Sequence, residues 1–243
     1  MKRLIISISA ALVCLTGFAQ SFDMSDEGGV APDKGYQVFN FEITADFGWG
    51  YHILMDDGSQ DPFLTSTSFG RSKEIFFNLG QIELRPVKPV SLTVGIDLNW
   101  DNYRLKKGEY LWVPGTNQDV TIGNASDYSY TVKKSILRSF GFDAPVMLRF
   151  HLGDVCIAGG VVGEYNLPGR TKFVGRDASG KKVKNPDELR TTDIQSNPLT
   201  YSFRASVSYS GLGLYAKYSP ASQFVAGHGP QFSYTTVGIL LGM

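Results

Sequence analysis

Three histidines, a knot of aspartates and a knot of lysines are the residues of this chain whose types could do chemistry. A histidine beside a serine and a carboxylate is the machinery of acyl transfer: the imidazole takes the hydroxyl proton and the acid holds the imidazole. His52 and His228 fall toward long loops and His151 at a short turn. Either of the first two, with a nearby serine, could assemble such a triad at a lipid boundary. No motif supplies the serine, so all three read as surface histidines and no catalytic residue is assigned. Asp56, Asp57 and Asp61 offer the hard oxygens that Ca²⁺ prefers, but their spacing fits no known loop and they read as a solvated acidic turn. Lys181, Lys182 and Lys184 in "GKKVKN" could meet lipopolysaccharide phosphates; a charged loop tip is the simpler reading. "GGVVG", residues 159–163, lacks the strand-loop-helix setting of a nucleotide site. Gly159 and Gly163 read as small residues that relieve crowding inside a strand. No metal or cofactor is implied.

With so little chemistry in the motifs, the elements that carry them become the informative part. "VSLTVGIDLNW", residues 90–100, sets Val90, Leu92, Val94, Ile96, Leu98 and Trp100 against Ser91, Thr93, Gly95, Asp97 and Asn99. Period-two alternation of this kind is a strand with one dry and one wet face. Eight such segments follow one another, in "VFNFEITADFGW", "EIFFNLGQIELR", the stretch above, "SFGFDAPVMLRF", "VCIAGGVVGEYN", "TYSFRASVSY", "LGLYAKY" and "YTTVGILLGM". Pro145 sits inside the fourth, where a bulge would accommodate it.

Their connections run long, short, long, short, long, short, medium. The short ones include "PVKP", "HLGD" and the hairpin signal Ser210-Gly211. In an up-and-down meander every second connection lies at the same end, so all the long loops gather at one end. That is the layout of an outer-membrane barrel, with tight periplasmic turns and long outer loops. The expected fold is therefore an all-β, eight-stranded, antiparallel, up-and-down transmembrane barrel spanning residues 38–243, with both termini periplasmic.

On that reading the polar faces line a lumen. Glu42, Asp46, Glu83, Arg85, Asp97, Asp143, Arg149, Glu164, Arg204 and Lys217 would form its charge network, since eight strands leave only enough room for side chains. Asp97 needs a basic partner there, with Arg204 and Lys217 the candidates. Trp49, Trp100, Phe140, Tyr165, Tyr201 and Tyr218 near the long-loop ends would form one aromatic girdle. Phe39, Phe150 and Tyr209 would form the other.

The start, "MKRLIISISAALVCLTGFAQ", has a basic head, an apolar stretch too short to span a bilayer and a small-x-small site, and reads as a signal peptide over residues 1–19. Residues 20–37 would be a periplasmic extension. Removing the signal leaves Cys156 as the single cysteine, so no internal disulfide is expected. Lys and Arg balance Asp and Glu at 23 each, which gives nucleic acid no electrostatic footing.

The closing "GLGLYAKYSPASQFVAGHGPQFSYTTVGILLGM", with a Tyr-rich strand, a "YSP" turn, a "GxGP" loop and a final apolar strand, resembles the small outer-membrane β-barrel proteins of Bacteroidetes. "FDAPVMLRF" is similar to that family's central strand, and a signal ending "FAQ" suits the same lineage. Many outer-membrane barrels end in an aromatic residue, whereas this chain ends in Met243. The resemblance implies a fold and an address but no activity. The function expected is a non-enzymatic structural or adhesin-like role, with outer-membrane lipid and lipopolysaccharide as neighbours and an extracellular ligand at the long loops. A narrow pore and a soluble lipocalin-like binding barrel are the alternatives.

Overall fold

The computed structural model describes residues 39–42, 46–55, 71–87, 89–106, 110–115 and 118–242. They form twelve strands: β1 (Phe39–Glu42), β2 (Phe47–Met55), β3 (Lys73–Val87), β4 (Val90–Arg104), β5 (Tyr110–Pro114), β6 (Val120–Asn124), β7 (Thr131–Leu152), β8 (Val155–Arg176), β9 (Lys182–Lys184), β10 (Leu199–Tyr209), β11 (Leu212–Ser219) and β12 (Ser233–Leu241). β1 and β2 both pair with β3, at Phe39↔Leu84 and Phe47↔Phe77, and so are successive pieces of one barrel strand. From there β3, β4, β7, β8, β10, β11 and β12 follow as antiparallel neighbours, and β12 returns to β2 through Val237↔Tyr51. The chain is a closed eight-stranded antiparallel meander. Closure matters because it leaves no open edge of unpaired backbone groups.

All three short turns lie at one end. Ser210 and Gly211 take φ of +49° and +88°, the left-handed pair that matches the twist of a two-residue hairpin, and Gly153 turns β7 into β8 at φ +65°. The opposite end carries residues 71–72, the β5–β6 hairpin, β9 with its following segment, and residues 220–232.

The polarity of the wall is that of a membrane protein. Along β4, Leu92, Val94 and Ile96 are 39–55 % exposed while Ser91, Thr93 and Asp97 are at most 2 % exposed. β7 repeats this with Phe142, Val146, Leu148 and Phe150 outside and Asp143 inside. The twelve steps from Phe140 to Leu152, at ~3.3 Å each and a tilt of ~40°, raise the apolar band about 30 Å, the thickness of a hydrocarbon core. The described residues contain no helix long and apolar enough to cross a membrane, so crossing falls to the strands.

Above Trp100 and Phe140 the pattern inverts. β7 and β8 are each 22 residues long and continue with Val132, Leu137 and Phe173 buried inside and Lys133, Arg170 and Arg176 exposed outside. This part is built for water on its outer face. It also corrects two expectations: the stretches before "SFGFDAPVMLRF" and after "VCIAGGVVGEYN" are not loops, because β7 already begins at Thr131 and β8 runs on through Pro168 to Arg176. A third correction concerns Pro145. The register across it is continuous, Val94↔Val146 and Asp97↔Asp143 on β4 and Pro145↔Val162 on β8. Losing one N–H costs two bridging pairs with β4, not a bulge.

Candidate functional site

Three polar layers fill the interior. The lowest, at the short turns, gathers Gln81, Glu83, Arg85, Ser91, Arg149 and His151. Arg85 donates to Glu83 (3.0 Å) and Arg149 to Gln81 (2.9 Å). Ser91 Oγ lies 2.9 Å and Glu83 Oε1 3.4 Å from the same nitrogen, His151 Nε2. An acyl-transfer relay needs hydroxyl and acid on opposite ring nitrogens, so this trio does not form one.

The middle layer is the densest. Lys217, wholly buried, is ion-paired with Glu74 and lies 3.3 Å from Glu164. Arg204 meets Asp97 at 3.0 Å and stacks 4.2 Å over the Phe76 ring. Asp143 stands between the cations, 3.9 Å from Arg204 and 4.0 Å from Lys217. Four carboxylates thus share two cations, and neutral donors supply the rest. Ser202 and Thr200 donate to Glu164 (2.7 and 2.8 Å), Tyr215 to Glu74 (2.9 Å) and Asn78 to Asp97 (2.7 Å). Buried charge persists only when paired and hydrogen-bonded in this way. Phe76 and Tyr215 fill the remaining space because no side chain opposes them: a Cβ on Gly48 would lie 2.0 Å from the Phe76 ring, and one on Gly238 2.5 Å from that of Tyr215. Between the lower two layers one cavity of about 30 Å³ remains, room for about one water.

The third layer holds a second triad-like row. His52 Nδ1 lies 2.9 Å from Thr236 Oγ1, and Nε2 lies 3.1 Å from Asp101. Nucleophile and acid are on opposite nitrogens here, yet Thr236, His52 and Asp101 are 0, 1 and 4 % exposed. No substrate reaches a hydroxyl so sealed. His52, expected at the surface, is therefore an interior residue of β2, stacked on Tyr103 at 4.9 Å.

Over these layers lies a lid of carbon. Tyr103, Leu105, Trp112, Val120, Leu137, Ile194, Phe224, Phe232 and Tyr234 form one buried cluster that draws on β4, the β5–β6 hairpin, β7, the segment before β10, residues 220–232 and β12. Leu111, Val113, Val132, Phe173 and Leu189 form a second beside it. The β5–β6 hairpin, the segment before β10 and residues 220–232 therefore form a folded platform. His228 pairs with Asp119 within it.

The residues singled out from the sequence fall as follows. Asp46, Glu83, Asp97, Asp143, Glu164, Arg204 and Lys217 are buried inside, and Arg85 and Arg149 are half-buried at the lower mouth. Glu42 and Phe39 have a described backbone only, and Asp56, Asp57 and Asp61 lie outside the described residues. Trp49, Ile75, Trp100 and Phe140 form one outward row across β2, β3, β4 and β7. Tyr165, Tyr201 and Tyr218 are exposed on β8, β10 and β11, and Phe150 and Tyr209 are exposed near the short turns. Gly159 and Gly163 point outward, contrary to the crowding reading; Gly160 is the one against the interior, at Val146. Two members of the interior network were missed altogether, Glu74 and Asp101. Each sits one residue from an outward aliphatic or aromatic side chain (Ile75, Trp100), which was the available signal.

No family model matches the chain, and neither does any curated protein. Among solved structures, Ail, the attachment invasion locus protein of Yersinia pestis, determined with the heparin analogue sucrose octasulfate, is similar over 82 % of this chain and 95 % of its own, at 10 % identity and a TM-score of 0.34.

Proposed function

We propose that this chain is an outer-membrane barrel that works through its extracellular platform as a non-catalytic interaction protein, not as a channel. One observation carries this: the interior is filled from the short turns upward by paired charge and then by an aromatic lid, while the β5–β6 hairpin, the segment before β10 and residues 220–232 are folded together over it. A conducting barrel needs an open lumen, and eight strands leave none. Both histidine constellations lack either the relay geometry or access, which favours a role without catalysis.

The address rests on the outward apolar band and on an N-terminal stretch that reads as a cleaved signal over residues 1–19, followed by a periplasmic extension to residue 37. A Bacteroidetes lineage rests on the closing stretch and the Pro145 strand alone. The partner would be a molecule outside the cell that the platform touches, with outer-leaflet lipid around the wall.

The test is fractionation with gels run with and without boiling, followed by planar-bilayer recording. The expected result is a heat-modifiable membrane protein with no unitary conductance. Removing residues 106–130 should abolish binding of cells to a host or matrix surface while leaving heat modifiability intact. Recovery as a soluble protein, or steady conductance from the intact chain, would overturn the reading.

A further inference from the structure

One step above the row Trp49–Ile75–Trp100–Phe140, the outward residues change character. The next row in register runs Lys73, Asn102, Arg138, Arg170, and the one after it Arg104, Ile136, Lys172, with Ile136 buried between its two cationic neighbours. Lys134 and Lys184 extend the group on β7 and β9. Residues directly opposite across an antiparallel ladder have Cβ atoms about 5 Å apart, and like charges so placed destabilise the sheet. Arg138 and Arg170 are such a pair. Among the described residues no carboxylate is ion-paired with Lys73, Arg104, Lys134, Arg138, Arg170 or Lys172; the described carboxylates that are ion-paired lie inside the barrel or within the platform. The crowding has its own signature. Lys134 is held below the ordinary lysine range by partial burial and by Arg104, Lys172, Arg138 and Lys73, and Lys172 is held below it first by Arg138.

A sheet does not gather uncompensated cations for its own stability. We infer that this belt is a binding surface for the phosphate groups of outer-leaflet lipid, with Arg138 and Arg170 at its centre. Height decides in favour of lipid over a soluble anion. Two residues of tilted strand raise Arg138 about 5 Å above Phe140, and the headgroup layer occupies roughly 5–7 Å on each side of the hydrocarbon core. Arg104 and Lys172 follow one similar step higher. The girdle below fixes this register: Trp100 packs on Phe140 at 5.0 Å, and Lys73 Nζ lies 4.9 Å over the Trp49 ring, so the same residues that mark the lipid boundary also orient the belt. Guanidinium groups suit the task because each offers a planar fork to phosphate oxygens. Lys181 and Lys182, the loop-tip lysines that first suggested phosphate contacts, are exposed beyond the end of β8 and outside this belt.

The inference rests on the membrane reading, and the experiment separates the two. Chain folded into neutral-detergent micelles and verified by its heat-dependent gel shift is titrated with bisphosphorylated lipid A and with the same lipid enzymatically dephosphorylated. Wild type should prefer the phosphorylated form by about tenfold or more. Arg138→Gln/Arg170→Gln and Lys134→Gln/Lys172→Gln should each lose that preference, and Lys181→Gln/Lys182→Gln should keep it. Because they relieve like-charge repulsion, the first two pairs should also melt no lower than wild type. Equal binding of both lipids by the folded barrel, or an unchanged preference in the Arg138/Arg170 variant, would overturn the belt alone. So would competition by millimolar inorganic phosphate, or a sulfated polysaccharide taking the same residues in place of lipid. A chain with no heat-dependent shift would count against the membrane reading itself.

Discussion

Lys217 of β11 and Glu74 of β3 are paired across the lumen with neither side chain accessible to solvent. They are brought together by the barrel's closure, since β11 and β3 are not neighbours in the sheet. Breaking a buried pair strands the remaining charge, at about 3–5 kcal/mol. Lys217→Met should therefore be strongly destabilising in urea titrations of the refolded barrel. Lys217→Met/Glu74→Gln should recover part of the loss, and a double variant no better than the single would show that Glu164 and Asp143 dominate Lys217.

The outward face offers an opposite-sign test. Val146 is 44 % exposed near the middle of the apolar band, where an arginine costs ~2–4 kcal/mol in a bilayer. Val146→Arg should lower stability by that order in lipid vesicles, and Thr121→Arg, exposed on β6 of the platform above the girdle, should be near neutral. Equal tolerance at both depths would be the result for a wall surrounded by water.

The platform should be separable from the barrel. Phe224 is fully buried against Trp112 and Phe232, and truncating such a ring costs ~3–5 kcal/mol. Phe224→Ala should expose residues 106–130 and 177–198 to limited trypsin digestion while the heat-dependent gel shift of the barrel persists.

At the tip of the β8–β9 turn, the Asp177 carboxylate accepts hydrogen bonds from the Ser179 hydroxyl and from the Ser179 and Lys181 amides, which hold its pKa below the usual aspartate value. A depressed carboxyl pKa stabilises the turn above the unfolded value of 3.8 and loses that stabilisation as pH falls through the folded value. Carbon-detected NMR should show Asp177 titrating below 3.8, and Ser179→Ala should move it up toward that value.

How far the fold was legible turns on particular strands. Val90–Trp100 declared itself because its phase never slips, and the alternation of short and long connections placed every turn at the correct end. Beyond Trp100 the same strand keeps its period but exchanges its solvents: Asn102 and Arg104 now face out and Tyr103 faces in. Alternation reports that two faces differ, not what lies against each, so the platform read as loop. His52 was lost for the same reason, since "YHILM" holds an interior histidine on an outwardly aliphatic strand. That Asp97 takes Arg204, 107 residues away, and not the other candidate Lys217 depends on ring closure and on which residues share a height, which one sequence does not state.

The long ladder between β7 and β8, from Leu152↔Val155 to Thr131↔Arg176 with register shifts only between Arg138 and Phe140 and between Val132 and Lys134, has a mechanical meaning. Among the described residues β7 and β8 belong to platform and barrel alike. A pull on the platform along the strands loads the hydrogen bonds in shear, so many must yield together rather than unzip one by one. Whatever grips the outer surface is thereby anchored in the wall of the barrel, without slack.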